Sequence, residues 1–160
     1  MAELADILKR LIDNKLTIST AESCTGGMIA SAIVDYPGAS NCFNEGYVTY
    51  SNLAKMKNLG VKEETLATFG AVSEETSKEM AMGVRLRALS DFGLSSTGIA
   101  GPQGGTPEKP VGLVYICCAY GDSKTKVREL HLSGDRAAIR KHTVSFAIDL
   151  LDECMKELCI

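Results

Sequence analysis

The sequence predicts an α/β fold, a three-layer α/β/α sandwich with a central mixed sheet, in a single domain over residues 1–160. Apolar stripes of helical spacing open and close the chain, and between them short strand-like runs alternate with helical ones. That order places helices on both faces of a sheet. Near the end, two strand-like runs follow one another across the turn Tyr120-Gly121-Asp122-Ser123. A hairpin therefore enters an otherwise parallel arrangement, and the sheet becomes mixed.

Leu4, Ile7, Leu8, Leu11 and Ile12 recur at i, i+3, i+4, i+7 and i+8, predicting an amphipathic helix over residues 2–14. Leu16-Thr17-Ile18-Ser19 then alternates as a strand does, and Met28 to Val34 returns to helical spacing. This second helix is expected to stop before Pro37, because the residue preceding proline is pushed out of the helical region. Phe43 to Ser51 reads as a second strand, followed by short helices over Asn52 to Leu59 and Glu63 to Phe69. Ser73 is the expected cap of a longer helix running to Leu89, with Glu74 and Glu75 well placed in its first turn.

Phe92-Gly93 is expected to end that helix, and Leu94 to Thr97 to form a short strand. Gly98 to Pro110 is a loop by composition, and loops of that length in a compact domain are often functional. Val111 to Ala119 is nearly all apolar, as in a strand buried on both faces. Its partner, Lys124 to Leu132, alternates imperfectly and suggests a bulge. From Asp135, a stripe of Ile139, Thr143, Phe146, Ala147, Leu150, Leu151, Cys154 and Leu158 predicts a closing helix.

Composition narrows the function classes. A net charge of −3 argues against a broad nucleic-acid surface, which needs clustered Lys and Arg to neutralise phosphates. No run approaches the roughly 20 apolar residues of a membrane span. Met1-Ala2-Glu3-Leu4 has no basic stretch leading into an apolar one, so no export signal is expected. The six cysteines show no C-x-x-C spacing, which favours reduced thiols in the cytoplasm over disulfides or zinc. With only His131 and His142 present, a histidine-based metal site is not expected, and no cofactor is implied.

The chemistry centres on Thr20-Ala21-Glu22-Ser23-Cys24-Thr25-Gly26-Gly27, a strand-to-helix turn. Such a turn presents small hydroxyls and free N–H groups where a developing oxyanion is stabilised. The simpler reading is a capped helix start, with Ser23 or Thr25 as the cap. His131 and His142 read as structural residues, so the remaining candidate set is a Ser23 nucleophile, a Lys55 base and a Tyr50 proton relay. A lysine in that role must be held neutral by desolvation or a cationic neighbour. Cys24 competes, since a thiol at a helix N-terminus is acidified and intrinsically more nucleophilic. Adjacent residues diverge on entering a helix, so only one of Ser23 and Cys24 can face the site.

Five segments, taken in order, resemble the successive signatures of the CinA C-terminal family, the competence-damage-inducible proteins. They are Thr20 to Gly27; Gly46-Tyr47-Val48-Thr49-Tyr50-Ser51-Asn52 with Lys55; Gly70-Ala71-Val72-Ser73-Glu74; Thr97 to Pro102 with Gly104-Gly105 and Lys109-Pro110-Val111-Gly112; and Ser133-Gly134-Asp135-Arg136. The likeness runs from about residue 5 to residue 155.

The resemblance implies an amidohydrolase that converts the carboxamide of nicotinamide mononucleotide to the acid and releases ammonia in pyridine-nucleotide salvage. It implies Ser23 as nucleophile, assisted by Tyr50 and Lys55, with either of the two as proton acceptor. It further implies substrate contacts from Glu22, Thr25, Gly26, Thr97 and Gly98, and an anion held by Arg136 or by Arg140 one turn later. A homo-oligomer is expected on the same ground, with a small nucleotide as the only other partner. Longer family members carry an added N-terminal domain, so the pyrophosphatase activity associated with it is expected to be absent. The alternative is a non-catalytic nucleotide- or partner-binding module on the same fold.

Overall fold

Five strands form one sheet in the computed structural model, which describes residues 3–160. They are β1 (Ile18–Glu22), β2 (Phe43–Val48), β3 (Phe92–Gly98), β4 (Leu113–Tyr120) and β5 (Lys124–His131), in the spatial order β2-β1-β3-β4-β5. β1 lies parallel to both β2 and β3, whereas β4 pairs antiparallel with β3 and with β5. The expected mixed sheet is what the chain builds.

The helices are α1 (Leu4–Asp13), α2 (Met28–Val34), α3 (Asn52–Leu59), α4 (Glu63–Phe69), α5 (Glu74–Ala88) and α6 (Arg136–Glu157). Strand alternation divides the core between the two faces. One face carries Ile18, Phe92, Leu94, Val114, Ile116 and Cys118, packed under Ile7, Leu8 and Leu11 of α1, Ile29 and Ile33 of α2, and Ile139, Leu150 and Leu151 of α6. The other carries Ala21, under Leu59 of α3, Leu66 of α4, and Met80 and Val84 of α5. Burying each large aliphatic side chain contributes about 1.5–3 kcal/mol, so these stripes are what holds the layers together.

Several boundaries differ from the sequence reading, each for a local reason. The predicted start of α1 at Ala2 lies outside the described residues. β1 begins two residues later than expected and extends through Glu22, because both of its neighbours supply ladder partners along that stretch. Phe92-Gly93 does not close a helix; α5 stops at Ala88, and Phe92 opens β3. Gly93 is required there, since a Cβ would come within 2.3 Å of the Ala81 carbonyl oxygen of α5. β5 contains no bulge, and its pairing with β4 is regular from Lys124 to His131. Its uneven polarity comes instead from its place at the sheet edge; the register shift in this sheet falls between Ile18 and Thr20. Ser73 caps α5 as expected, its hydroxyl accepting from the Thr76 N–H.

Candidate active site

Alternation continues past the end of β1 and decides which side chains meet. Glu22 turns toward the α2 face, where its carboxylate reaches the helix, and Ser23 turns to the opposite face, toward α3. The Ser23 N–H still pairs with the Ser96 carbonyl of β3, so the serine is held as a strand residue while the chain begins to turn. Cys24 comes back to the first face and joins the large apolar cluster.

On the α3 side, Ser51 caps the helix by accepting from the Ala54 N–H, and this fixes Lys55 on its inward face. Lys55 is only 1% exposed. Its Nζ donates to Ser23 Oγ at 3.1 Å and to the Thr49 carbonyl at 2.8 Å. Neither partner is anionic, and Lys55 makes no ion pair among the described residues. Burial therefore pushes its ammonium below the ordinary lysine range, with Cys24 opposing weakly. The Thr49 hydroxyl is buried with no partner among the described residues. Ser23, 8% exposed, and Lys55 thus form a hydroxyl–amine pair of the kind expected of an activated nucleophile.

Cys24 has the opposite character. Burial raises its thiol to about 11, despite its place in the turn, because the side chain lies in apolar surroundings. Ser23 and Cys24 thus meet opposite faces, and of the two only Ser23 bonds to Lys55.

The Tyr50 hydroxyl bonds to neither Ser23 nor Lys55 among the described residues. Tyr50 is 64% exposed, and its hydroxyl accepts from Arg136 Nη2 at 3.0 Å. Arg136 Nη1 donates to the Gly101 carbonyl at 2.9 Å, so one guanidinium ties the end of β2 to the glycine-rich loop. Arg140, one turn along α6, is turned inward. Its Nε donates to the Cys24 carbonyl and its Nη2 to the Thr25 carbonyl, both at 3.0 Å. It clamps the turn from outside, so Arg136 is the one of the two whose guanidinium remains at the surface.

The other expected contacts divide between structure and site. Glu22, 1% exposed, is occupied by four donors: the Thr25 hydroxyl and the N–H groups of Gly27, Ile29 and Ala30. It caps α2 from within β1, a task the simpler sequence reading gave to Ser23 or Thr25. The residue at the cap position is Gly27, in the left-handed region, where it has no side chain to cap with. Thr25 is fully buried and bonds to Glu22 and Ser96. Gly26 is exposed, at φ +59, with its N–H on the Ser23 carbonyl.

Thr97 is buried and donates to the Ala71 carbonyl, fixing the segment before α5. Gly98 permits close approach of β4, since a Cβ would lie 2.6 Å from the Val114 side chain. His131 and His142 are exposed, with His131 on Glu129, and neither bonds to Ser23. No group of metal-binding side chains occurs among the described residues. A separate surface cavity of about 470 Å³, lined in part by Met82, Arg85, Leu86 and Leu89, includes none of the residues above.

Sequence reasoning did not find Ser96, the Thr49 carbonyl or the capping role of Glu22. Ser96 had no signal beyond its place in a predicted strand, and a carbonyl contact has no residue signature. The Glu22 role was visible only once β1 was known to extend through it.

Fold and site together define an α/β protein with a buried serine–lysine pair at the exit of a parallel strand. The profile of the CinA C-terminal domain matches residues 2–155, and the chain belongs to that family. It is similar to a competence-damage inducible protein of Clostridium novyi, 60% identical over 144 residues that make up 89% of this chain and 34% of that relative. A CinA-like protein of Kosmotoga olearia is 59% identical over 143 residues, again 89% of this chain and 34% of the relative. The chain therefore spans about a third of the length of these curated relatives.

Among solved structures, the competence/damage inducible protein CihA from Agrobacterium tumefaciens superposes with a TM-score of 0.89 at 41% identity, covering 96% of each chain. The competence damage-inducible protein A (ComA) from Klebsiella pneumoniae gives 0.90 at 31% identity, covering 97% of this chain and 98% of the other.

Proposed function

We propose that the chain is a metal-independent amidase that hydrolyses the carboxamide of nicotinamide mononucleotide to nicotinate mononucleotide and ammonia. The observation that carries the chemistry is the buried contact of Lys55 Nζ with Ser23 Oγ at 3.1 Å, with no carboxylate beside the amine. The substrate comes from the family resemblance, and the exposed Arg136 supports an anionic end to it.

In this reading Ser23 Oγ attacks the carboxamide carbon and gives its proton to neutral Lys55. The tetrahedral oxyanion forms beside the Cys24 and Thr25 N–H groups, which donate to no acceptor among the described residues. A well-aimed donor of this kind lowers a barrier by roughly 3–4 kcal/mol. Lys55 returns the proton to the nitrogen as the C–N bond breaks, and ammonia leaves. Water then adds to the Ser23 ester, loses its proton through Lys55, and frees the carboxylate and the serine. The sum is amide plus water to acid plus ammonia. Dividing the reaction in two suits an amide, which is a poor electrophile.

Tyr50 and Arg136 act at the mouth in this scheme, the guanidinium holding the phosphate and the phenol orienting the guanidinium. The test is purified protein incubated with nicotinamide mononucleotide and a chelator, with ammonia and nicotinate mononucleotide measured. Release of both in equal amounts supports the reading. Saturable binding with no product would instead make the chain a binding module.

A further inference from the structure

We infer that Glu22, Thr25 and Ser96 form a directed hydrogen-bond chain that positions the Ser23 nucleophile, and that Glu22 is its fixed end. The inference rests on the amidase reading for its kinetic readout, but the geometry beneath it is independent. A carboxylate has only acceptors to offer, and the groups around Glu22 are all donors. Its Oε2 takes the Thr25 hydroxyl at 2.6 Å and the N–H groups of Gly27 and Ile29 at 3.1 and 3.0 Å. Its Oε1 takes the Ala30 N–H at 2.8 Å.

That arrangement settles a direction the next contact leaves open. Thr25 Oγ1 and Ser96 Oγ lie 2.7 Å apart, and either is able to donate. Since the single Thr25 proton is given to Glu22, Ser96 must donate to Thr25. The order is Ser96 to Thr25 to Glu22, entirely within buried protein. Polar networks in such surroundings are rigid when every member is satisfied and costly when one is not.

The chain encloses the nucleophile. Glu22 precedes Ser23, Thr25 follows it by two, and Ser96 supplies the carbonyl that holds the Ser23 N–H at 2.9 Å. Ser23 is thus fixed from both sides and from the neighbouring strand, while its side chain points the other way, to Lys55. A hydroxyl held 3.1 Å from its base tolerates little displacement, and a shift of about 1 Å typically costs 10²-fold in rate. The side chains of Glu22, Thr25 and Ser96 bond to one another and to the start of α2, and to none of Lys55, Tyr50 and Arg136, so these side chains act through Ser23, in a positioning role distinct from that of the Thr25 N–H.

The experiment uses Glu22→Gln, Thr25→Val and Thr25→Ser in the full chain. It has two readouts: kcat and KM for amide hydrolysis, and the rate at which diisopropyl fluorophosphate labels Ser23. In labelling, the serine oxygen bonds to phosphorus, fluoride leaves and the proton goes to Lys55. This second readout needs no knowledge of the substrate. Glu22→Gln places an amide N–H₂ where an acceptor is required. It should lower both kcat and labelling by about 10²-fold with KM changed less than about threefold. Thr25→Val, which keeps the shape but breaks the chain, should match it. Thr25→Ser should restore both to within about threefold, a rescue that a loss of packing alone would not give.

A folded Glu22→Gln protein with wild-type kcat and labelling overturns the inference. If Glu22→Gln does not fold, the Thr25→Val and Thr25→Ser pair decides, and equal activity in the two overturns it. A wild-type protein that is labelled at Ser23 but releases no ammonia defeats the proposed substrate and leaves this inference to the labelling rates. Wild-type protein that is neither labelled nor active defeats the nucleophile, and the positioning chain with it.

Discussion

Ser23 and Cys24 are consecutive, yet they leave the turn on opposite faces of the sheet. Ser23 Oγ meets Lys55 under α3, and the Cys24 thiol joins the apolar cluster beneath α2 and α6. Ser23→Ala should therefore reduce kcat by roughly 10³-fold or more, as removal of a nucleophile does, while Cys24→Ala should stay within about tenfold. A lethal Cys24→Ala in a folded protein would reverse the assignment.

The same burial predicts the thiol chemistry of the native protein. Cys159 is exposed and the other five cysteines are buried. Because burial holds the Cys24 thiol at about 11, its thiolate is scarce at neutral pH. Brief treatment with iodoacetamide at pH 7 should alkylate Cys159 and leave Cys24 untouched, as peptide mass spectrometry would show. Rapid modification of Cys24 would mean that the turn opens in solution.

Lys55 sets the pH dependence. Burial lowers its pKa from the ordinary 10.5, and only the neutral amine accepts the Ser23 proton. The rate should therefore rise with pH and level off once pH passes the lowered value, short of 10.5. Lys55→Met should remove most activity and flatten that limb. Stability follows in the same direction. Below the folded-state pKa, both folded and unfolded chains carry the charge, and the folded one bears the full cost of burying it. Between that value and 10.5, the unfolded chain binds more protons, so stability rises with pH. Chemical denaturation from pH 7 to pH 10 should show this rise in wild type beyond that in Lys55→Met. Identical slopes would place the amine in water.

Much of this was legible in advance because it depends on patterns of period two or 3.6. The stripe of Ile7, Leu8 and Leu11 and the apolar run of β4 each name their own partner layer. Ser23 and Lys55 stood together as a candidate pair once the histidines were set aside, and the family resemblance pointed to the same two residues. What stayed hidden depends on direction rather than periodicity. The resemblance makes Glu22 a substrate contact, and only the extension of β1 shows that it faces α2. Arg136 and Arg140 share a helix face, yet one ties Tyr50 to Gly101 and the other holds the Cys24 and Thr25 carbonyls.

The Tyr50–Arg136 contact separates recognition from proton transfer. Tyr50→Phe removes the acceptor of one Arg136 bond, a neutral partner that sits at the surface. Such a bond contributes about 0.5–1.5 kcal/mol, so the variant should lose no more than about tenfold in kcat/KM, mostly through KM. Arg136→Ala should raise KM for nicotinamide mononucleotide by about 10–100-fold, as loss of a charge-assisted contact does, and leave KM for nicotinamide riboside nearly unchanged. A kcat loss above about 10²-fold in Tyr50→Phe would restore the phenol as a proton relay.

Gly83 tests whether the base is held by packing at a distance. It lies in the interior of α5, where glycine is a poor helix former, and alanine would gain about 1 kcal/mol by propensity alone. Yet a Cβ at this position would lie 1.9 Å from the carbonyl oxygen of Leu59, the last residue of α3. The contact is with backbone, so no rotamer change relieves it, and α3 must move away from α5. Overpacking of this kind costs about 1–3 kcal/mol, which outweighs the propensity gain at all but its lower end. Gly83→Ala should then lower Tm by several degrees, since each kcal/mol is worth about 2–4 °C in a chain of this size. Because α3 also carries Lys55, kcat should fall while KM holds, the mark of a base displaced from its nucleophile. A Gly83→Ala protein with raised Tm and full activity would show that the α3–α5 approach is not what fixes Lys55.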